Sequence, residues 1–120
     1  MNKPPKKVKH LLRRYENQAY EHELRMALTR LDRHFAAWRE GEISSVELDQ
    51  HIHAYKKGPA RELYGRYQSG LTEMNVAYAI VTGMLDRETI PAQVLQALEQ
   101  QIGFYESLKQ KNELRMPGEP

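Results

Sequence analysis

The sequence predicts an all-α fold, a compact bundle of about five helices with a long N-terminal helix. Apolar side chains recur at helical spacing in each segment, Pro and Gly concentrate at the segment boundaries, and no alternating strand pattern occurs. The chain has 120 residues, of which 40% are hydrophobic and 28% charged. These values are typical of one globular domain.

The first predicted helix covers about Lys6 to Arg39. Pro4 and Pro5 precede it, and neither Pro nor Gly occurs again before Gly41. From residue 24 onward the apolar positions are spaced by 4, 3, 4 and 3 residues, which indicates one helical stripe. The stripe consists of Leu24, Leu28, Leu31, Phe35 and Trp38. We interpret its last two members as the core anchor between the first and second helices.

The length of this helix raises a packing problem. At 1.5 Å per residue it spans roughly 50 Å, whereas a compact domain of this size is about 35 Å across. Either the helix breaks near residues 16–18, or its basic end projects. A projecting end needs a partner to cover Val8, Leu11, Leu12 and Tyr15. We therefore predict a basic helical extension over residues 1–20, a bundle domain over 21–111 and a disordered tail over 112–120.

Turn signals place the next two helices. Gly41 ends the first helix, and Ser44 with Glu47 forms a capping box that starts a helix over about 45–56. Gly58-Pro59 is predicted to end it and to begin a third helix over about 59–68. A helix that begins there presents open N–H groups, which attract anions.

Two more helices complete the prediction. Thr72 is a plausible N-cap for a fourth helix over about 73–85, whose dense apolar run marks it as the buried central helix. Pro91 opens a fifth helix over about 91–111.

The net charge of +2 conceals an asymmetry. Residues 1–14 contain six of the 18 Lys and Arg residues and no acid, so the remainder carries twelve basic against 16 acidic side chains. The chain is a mildly acidic body with a basic arm. Such an arm is either a handle for nucleic acid or an acidic partner, or a solubilising tail.

Catalytic and metal-binding motifs are not found. The chain has no cysteine, which excludes disulfides, thiolate zinc sites and cysteine nucleophiles. His10, His22 and His34 are 12 residues apart, so each is rotated by about 120° from the last on a helix. His51 and His53 also diverge. A glycine-rich phosphate loop and a serine elbow are lacking, and we predict no catalytic residue, metal ligand or cofactor.

The sequence differs from one family of small helical ribonucleases. Toxins of the HEPN type carry an Arg followed by a His after four to six residues. Here three residues separate Arg30 from His34, and seven separate Arg14 from His22. The required spacing is not met, which places a nuclease third among the functional hypotheses.

Two groups of residues are candidates for binding a protein or a nucleic acid. Basic side chains contact phosphates, and interleaved tyrosines can stack on bases or fill a partner's pocket. Alternatively, the tyrosines at helical spacing are core residues and the lysines stabilise a helix end. The candidates are Lys6, Lys7, Lys9, Arg13, Arg14 and Tyr15 in the arm, and Lys56, Lys57, Arg61, Tyr64 and Arg66 in a second patch.

The leading functional hypothesis is a non-enzymatic protein-interaction or regulatory module, with a homodimer as one form. The alternative is a nucleic-acid-binding protein that uses the arm and the Lys56–Arg66 patch. We expect a cytoplasmic location and no membrane insertion. The longest uncharged apolar stretch, Met74 to Leu85, is far shorter than the roughly 20 residues that cross a bilayer.

Overall fold

A computed structural model describes residues 5–119, and every regular element in that range is helical. The predicted fold class, a helical bundle with a long N-terminal helix, is confirmed. In chain order the helices are α1 (Lys6–Arg39), α2 (Ser45–Tyr55), α3 (Arg61–Tyr67), α4 (Thr72–Val81), α5 (Ala92–Ala97) and α6 (Glu99–Gln110). A π-helical turn (Lys56–Ala60) joins α2 to α3, and a 3-10 turn (Arg87–Thr89) precedes α5.

Helix α1 is continuous, and its N-terminal half is the part that packs into the core. Val8 and Leu12 are each only 2% exposed and Ala19 is fully buried, within one cluster shared with α4, α5 and α6. Leu11 and Tyr15 pack against the same cluster. The apolar side of the basic arm is thus covered by this chain's own helices rather than left for a partner. Helices α4 and α5 pack along this half of α1 and bury these apolar side chains.

The opposite end of α1 is covered on one side only, so part of its apolar stripe is exposed. The molecule measures 56 Å along its longest axis. Beyond its middle, α1 is flanked by α2 and the π-helical turn. Leu28 and Trp38 remain 45% and 41% exposed, so the stripe predicted to face the core is only partly covered. The Trp38 indole N–H donates to Ser45 Oγ at 3.1 Å, so this ring lies at the α1–α2 turn instead of anchoring the core.

The turn between α1 and α2 follows the sequence signals. Gly41 has a φ of +76°, the left-handed conformation that glycine adopts without strain at the end of a helix. The Glu47 N–H donates to Ser44 Oγ at 3.1 Å, and the Ser44 N–H donates to Glu47 Oε1 at 3.3 Å. The predicted capping box is therefore present.

The junction at Gly58-Pro59 differs from its prediction. Helical dihedral angles continue from Tyr55 through Arg61, so α2 and α3 form one continuous helical segment. Pro59 lacks an N–H, and its ring would clash with the carbonyl four residues earlier. The wider π-helical turn accommodates both features without ending the helix. No helix N-terminus opens at this point, so the anion site predicted there is not formed.

Helix α4 is the central helix, as predicted. Six of its residues are buried: Asn75, Val76, Ala77, Ala79, Ile80 and Val81. Thr72 is its first residue rather than its N-cap, because the Thr72 hydroxyl donates to Glu16 on α1. The predicted fifth helix is interrupted at Leu98, which separates α5 from α6.

The segment after α6 lies against the body through residue 119, whereas the sequence suggested a disordered tail over 112–120. Leu114 packs against the core cluster, and the Tyr78 hydroxyl donates to the Arg115 carbonyl at 2.6 Å. Arg115 lies 3.8 Å from a carboxylate oxygen of Glu62 on α3. One apolar contact and two polar contacts therefore fix residues 114 and 115, which composition alone predicts to be flexible.

Candidate nucleic-acid interface

The N-terminal half of α1 presents an exposed basic surface. The six side chains Lys6, Lys7, Lys9, His10, Arg13 and Arg14 are all exposed, and we call them the basic face. No acid occurs between Pro5 and Tyr15. At 100° per residue the six cover the whole solvent side of the helix, because Val8 and Leu12 point into the core.

Three of these side chains, Lys6, Lys7 and Lys9, lie in the first turn of α1, where the helix dipole disfavours positive charge. The N-terminus of a helix carries partial positive charge, so basic side chains raise the free energy there and anions lower it. The first turn of α1 has no acidic residue, and Pro5 at the N-cap supplies no side-chain hydrogen bond. The positive charge of these three lysines is thus unfavourable for the helix itself.

Polar contacts fix α4 beside the basic face. Glu16, one turn beyond Leu12, accepts hydrogen bonds from the Thr72 hydroxyl at 3.2 Å and the Asn75 amide at 2.9 Å. The same Asn75 amide donates to the Arg66 carbonyl at 3.1 Å. Because Asn75 is buried, these bonds set the position of the start of α4 relative to both α1 and α3.

A cleft of about 600 Å³ lies between the basic face and the start of α4. Lys6, Lys9 and Arg13 line one side of it, and Leu71, which is 59% exposed, lines the other. One acid, Glu73, also lines the cleft and accepts a hydrogen bond from Gln101 at 3.3 Å. The cleft adds a concave edge to the otherwise convex basic face.

The second predicted patch, Lys56–Arg66, is separate from the basic face. Lys56, Lys57, Arg61 and Tyr64 are exposed on the π-helical turn and α3, as a binding patch requires. Arg66, at the end of that patch, bonds to Glu23, which lies 14 residues along α1 from Lys9. That separation is about 21 Å at 1.5 Å per residue. Tyr15, predicted with the arm, is half-buried against the core and is not available to stack on a base.

The Arg66 side chain is engaged within the protein. Its guanidinium and the Tyr67 hydroxyl both donate to Glu23 Oε2, and Glu23 is only 6% exposed. Burial lowers the pKa of Arg66, but the hydrogen bond and negative charge of Glu23 raise it above its ordinary value. Burial and the bond to Glu23 raise the pKa of Tyr67 well above its ordinary value. Arg66 therefore stays charged and Tyr67 stays protonated beside Glu23.

Aromatic rings surround this cluster. The Arg66 guanidinium lies 5.1 Å from the centre of the Tyr67 ring and 5.3 Å from that of Tyr78. Tyr20 stacks on Tyr67 with ring centres 4.9 Å apart. The burial of Glu23 was not predicted from the sequence, because an acid in a polar stretch of helix carries no signal for burial. Its partners follow 43 and 44 residues later.

Two of the five histidines lie together. His34 on α1 and His51 on α2 stack face to face, with ring centres 3.5 Å apart. Between residues 5 and 119 no three metal-ligating side chains converge. In that same range no helix is both long and apolar enough to cross a membrane.

Comparisons with protein families, with curated proteins and with solved structures find no significant match to this chain.

Proposed function

We propose that this protein is a non-enzymatic helical module that binds nucleic acid through the basic face of α1. The observation that carries the proposal is the set of six exposed basic side chains, with no acid among them, at the N-terminal end of α1. Lys and Arg at this density neutralise backbone phosphates and release their counterions. We place this binding in the cytoplasm, with which a cysteine-free chain is compatible.

The packing of the arm against the protein's own helices favours a nucleic acid as its ligand over a protein partner. Val8 and Leu12 are already buried by α4 and α5, so what remains exposed on this half of α1 is basic and polar. A surface of this kind recognises the phosphate backbone and carries little sequence information. We therefore expect binding that depends weakly on base sequence.

Fluorescence anisotropy with a short labelled duplex tests the proposal at about 50 mM salt, where phosphate contacts are strongest. The triple variant Lys6→Glu, Lys9→Glu, Arg13→Glu is expected to bind at least about tenfold more weakly. Lys6→Glu and Lys9→Glu place acids in the first turn of α1, where the helix dipole favours them, and Glu at position 13 is a good helix former at an exposed site. A loss of binding is therefore not explained by unfolding of the helix.

The matched control is the triple variant Lys56→Glu, Lys57→Glu, Arg61→Glu. It makes the same change in net charge on the separate, exposed patch. We expect it to change affinity less than about threefold, because charge effects are screened over about 14 Å at this salt concentration. Equal losses in the two variants would show that net charge, and not the basic face, governs binding. No binding by the parent protein would refute the proposal.

Self-association is a second candidate function, and the uncovered end of α1 favours it. Leu28, Trp38 and, on α2, Val46 (68% exposed) remain open to solvent. Arg25 and Asp32 are exposed beside the Leu24–Trp38 stripe on one side. If two copies of α1 cross antiparallel near residues 28–29, Arg25 faces Asp32 of the partner subunit, and the reverse pair forms by symmetry.

Charge reversal and mixing test this dimer. Arg25→Asp and Asp32→Arg each juxtapose like charges and are expected to be monomeric by light scattering. Mixing the two variants restores opposite charges and is expected to give a heterodimer. Arg33→Asp, exposed on the same helix but about 180° from the stripe, is the control and should leave the parent dimer intact. A monomeric parent protein, or mixed variants that stay monomeric, would exclude this arrangement.

A further inference from the structure

A second, larger cleft lies farther along α1 than the basic face, beside residues 23–30. It has a volume of about 700 Å³ and is enclosed by α1, the π-helical turn with α3, α4 and the segment after α6. Clefts of this size bind small molecules when apolar walls surround a few convergent polar groups. Most of its wall is apolar, including Met26, Leu63, Leu108 and Met116.

The polar groups in this wall differ in whether they have partners. Four carboxylates line the cleft. Glu23 is paired with Arg66, Glu62 lies 3.8 Å from Arg115, Glu119 accepts a hydrogen bond from the Met116 N–H, and Glu113 is exposed. Arg30 also lines the cleft, and within residues 5–119 it has neither a hydrogen bond from its side chain nor an ion pair. Arg66 uses one nitrogen for Glu23 and is 41% exposed, so its other N–H groups remain open. Two guanidinium groups with open donors therefore line the same cleft, together with the exposed carboxylate of Glu113.

The segment after α6 forms the outer wall of the cleft. Arg115 donates to the Glu119 carbonyl at 3.1 and 2.8 Å, and the Met116 N–H donates to the Glu119 carboxylate at 3.1 Å. These bonds fold residues 115–119 into a closed loop. Gly118 lies so close to α1 that a Cβ there would come within 2.7 Å of Arg30 Nη2 and 2.9 Å of Met26 Cε. The loop thus reaches directly to Arg30.

We propose that this cleft binds a small apolar molecule with an anionic head. Arg30 and Arg66 receive the head, because open guanidinium donors favour carboxylate and phosphate groups. The aliphatic body lies between Met26 and Leu63 on one side and the 114–118 segment on the other. A carboxylate and a phosphate head satisfy the same donors, so the ligand is defined by negative charge on an apolar body. This site is independent of the proposed nucleic-acid interface.

The test is a titration of the full chain with octanoate, octyl phosphate, octanol and octylammonium, followed by amide and arginine Nε–H chemical shifts in NMR spectra. We expect both anions to shift resonances of residues 113–119 together with the Nε–H of Arg30 and Arg66. The relative affinities of octanoate and octyl phosphate identify the preferred head group. Octanol and octylammonium are expected to bind at least about tenfold more weakly, since a hydrogen bond to a charged group contributes about 1.5–3 kcal/mol. Octylammonium binding as tightly as octanoate, or octanol doing so, would overturn the proposal.

Two variants test the location of the ligand. Arg30→Gln removes a charge that has no partner, so the fold is retained, and octanoate should bind at least about tenfold more weakly while octanol is unaffected. Ala27→Phe fills the cleft from α1 and should abolish binding of both, whereas Ala36→Phe, exposed on the same helix outside the cleft, should not. If Ala27→Phe fails to fold, Arg30→Gln alone decides. Unchanged octanoate affinity in Arg30→Gln contradicts the proposed role of the arginine.

Discussion

Substitution of Glu23 by alanine is expected to destabilise the protein by about 3 kcal/mol. The change removes the one acceptor shared by Arg66 and the Tyr67 hydroxyl. A buried hydroxyl left without a partner costs about 1–3 kcal/mol. Breaking a fully buried ion pair costs about 3–5 kcal/mol, but the Arg66 side chain is 41% exposed and water solvates much of it, so we assign its loss about 1 kcal/mol.

Urea denaturation measures this loss. With an m-value of about 1.5 kcal/mol/M, a change of about 3 kcal/mol lowers the midpoint by about 2 M. Tyr67→Phe removes one of the two bonds to Glu23 without leaving a buried polar atom on residue 67. It should therefore cost less, about 1 kcal/mol.

A double-mutant cycle isolates the interaction. If Glu23 and Tyr67 act through their hydrogen bond, the double variant should be more stable than the sum of the single effects predicts, by about 1 kcal/mol or more. Additive effects, or a loss below about 1 kcal/mol in Glu23→Ala, would refute the inference that these hydrogen bonds stabilise the packing of α3 on α1.

Three further predictions follow from particular contacts. Because the pKa of Tyr67 is raised in the fold, the neutral hydroxyl stabilises the native state below the ordinary pKa of about 10, and this contribution is lost as pH rises above it. The urea midpoint should therefore fall between pH 9 and 11 by more in the parent protein than in Tyr67→Phe, and equal falls would contradict the assignment. Leu12→Ala should cost about 3 kcal/mol and Leu28→Ala less than about 1 kcal/mol, since only Leu12 is buried; the reverse order in thermal unfolding would place the core at the wrong end of α1. Ser44→Ala should cost about 1 kcal/mol by removing the capping box, with Ser107→Ala, at an exposed serine of α6, as the control, and no loss in Ser44→Ala would argue against the cap.

Local signals in the sequence predicted the helices well. The ends of α1 at Lys6 and Arg39 and the Ser44–Glu47 cap depend on residues within a few positions of one another. The effect of Pro59 was harder to predict, because a proline can end a helix or be accommodated in a wider turn.

The location of the core along α1 was not predictable from periodicity. The Leu24–Trp38 stripe is more regular than the apolar positions of the arm, yet Val8 and Leu12 are the buried residues. Which half is covered depends on where α4, α5 and α6 return, and a helical pattern contains no information on that. The exposed basic residues of the arm could be identified from sequence because charge at a helix terminus is a local property. The Glu23 cluster could not, since its members are far apart in the chain.

The salt dependence of nucleic-acid affinity tests the central claim most directly. If about four side chains of the basic face contact phosphates, a plot of log affinity against log salt concentration should have a slope near −3.6. Arg13→Gln should make the slope shallower by about 0.9, whereas Arg61→Gln should leave it unchanged. A slope near zero in the parent protein, or equal slopes in the parent and Arg13→Gln, would contradict the account.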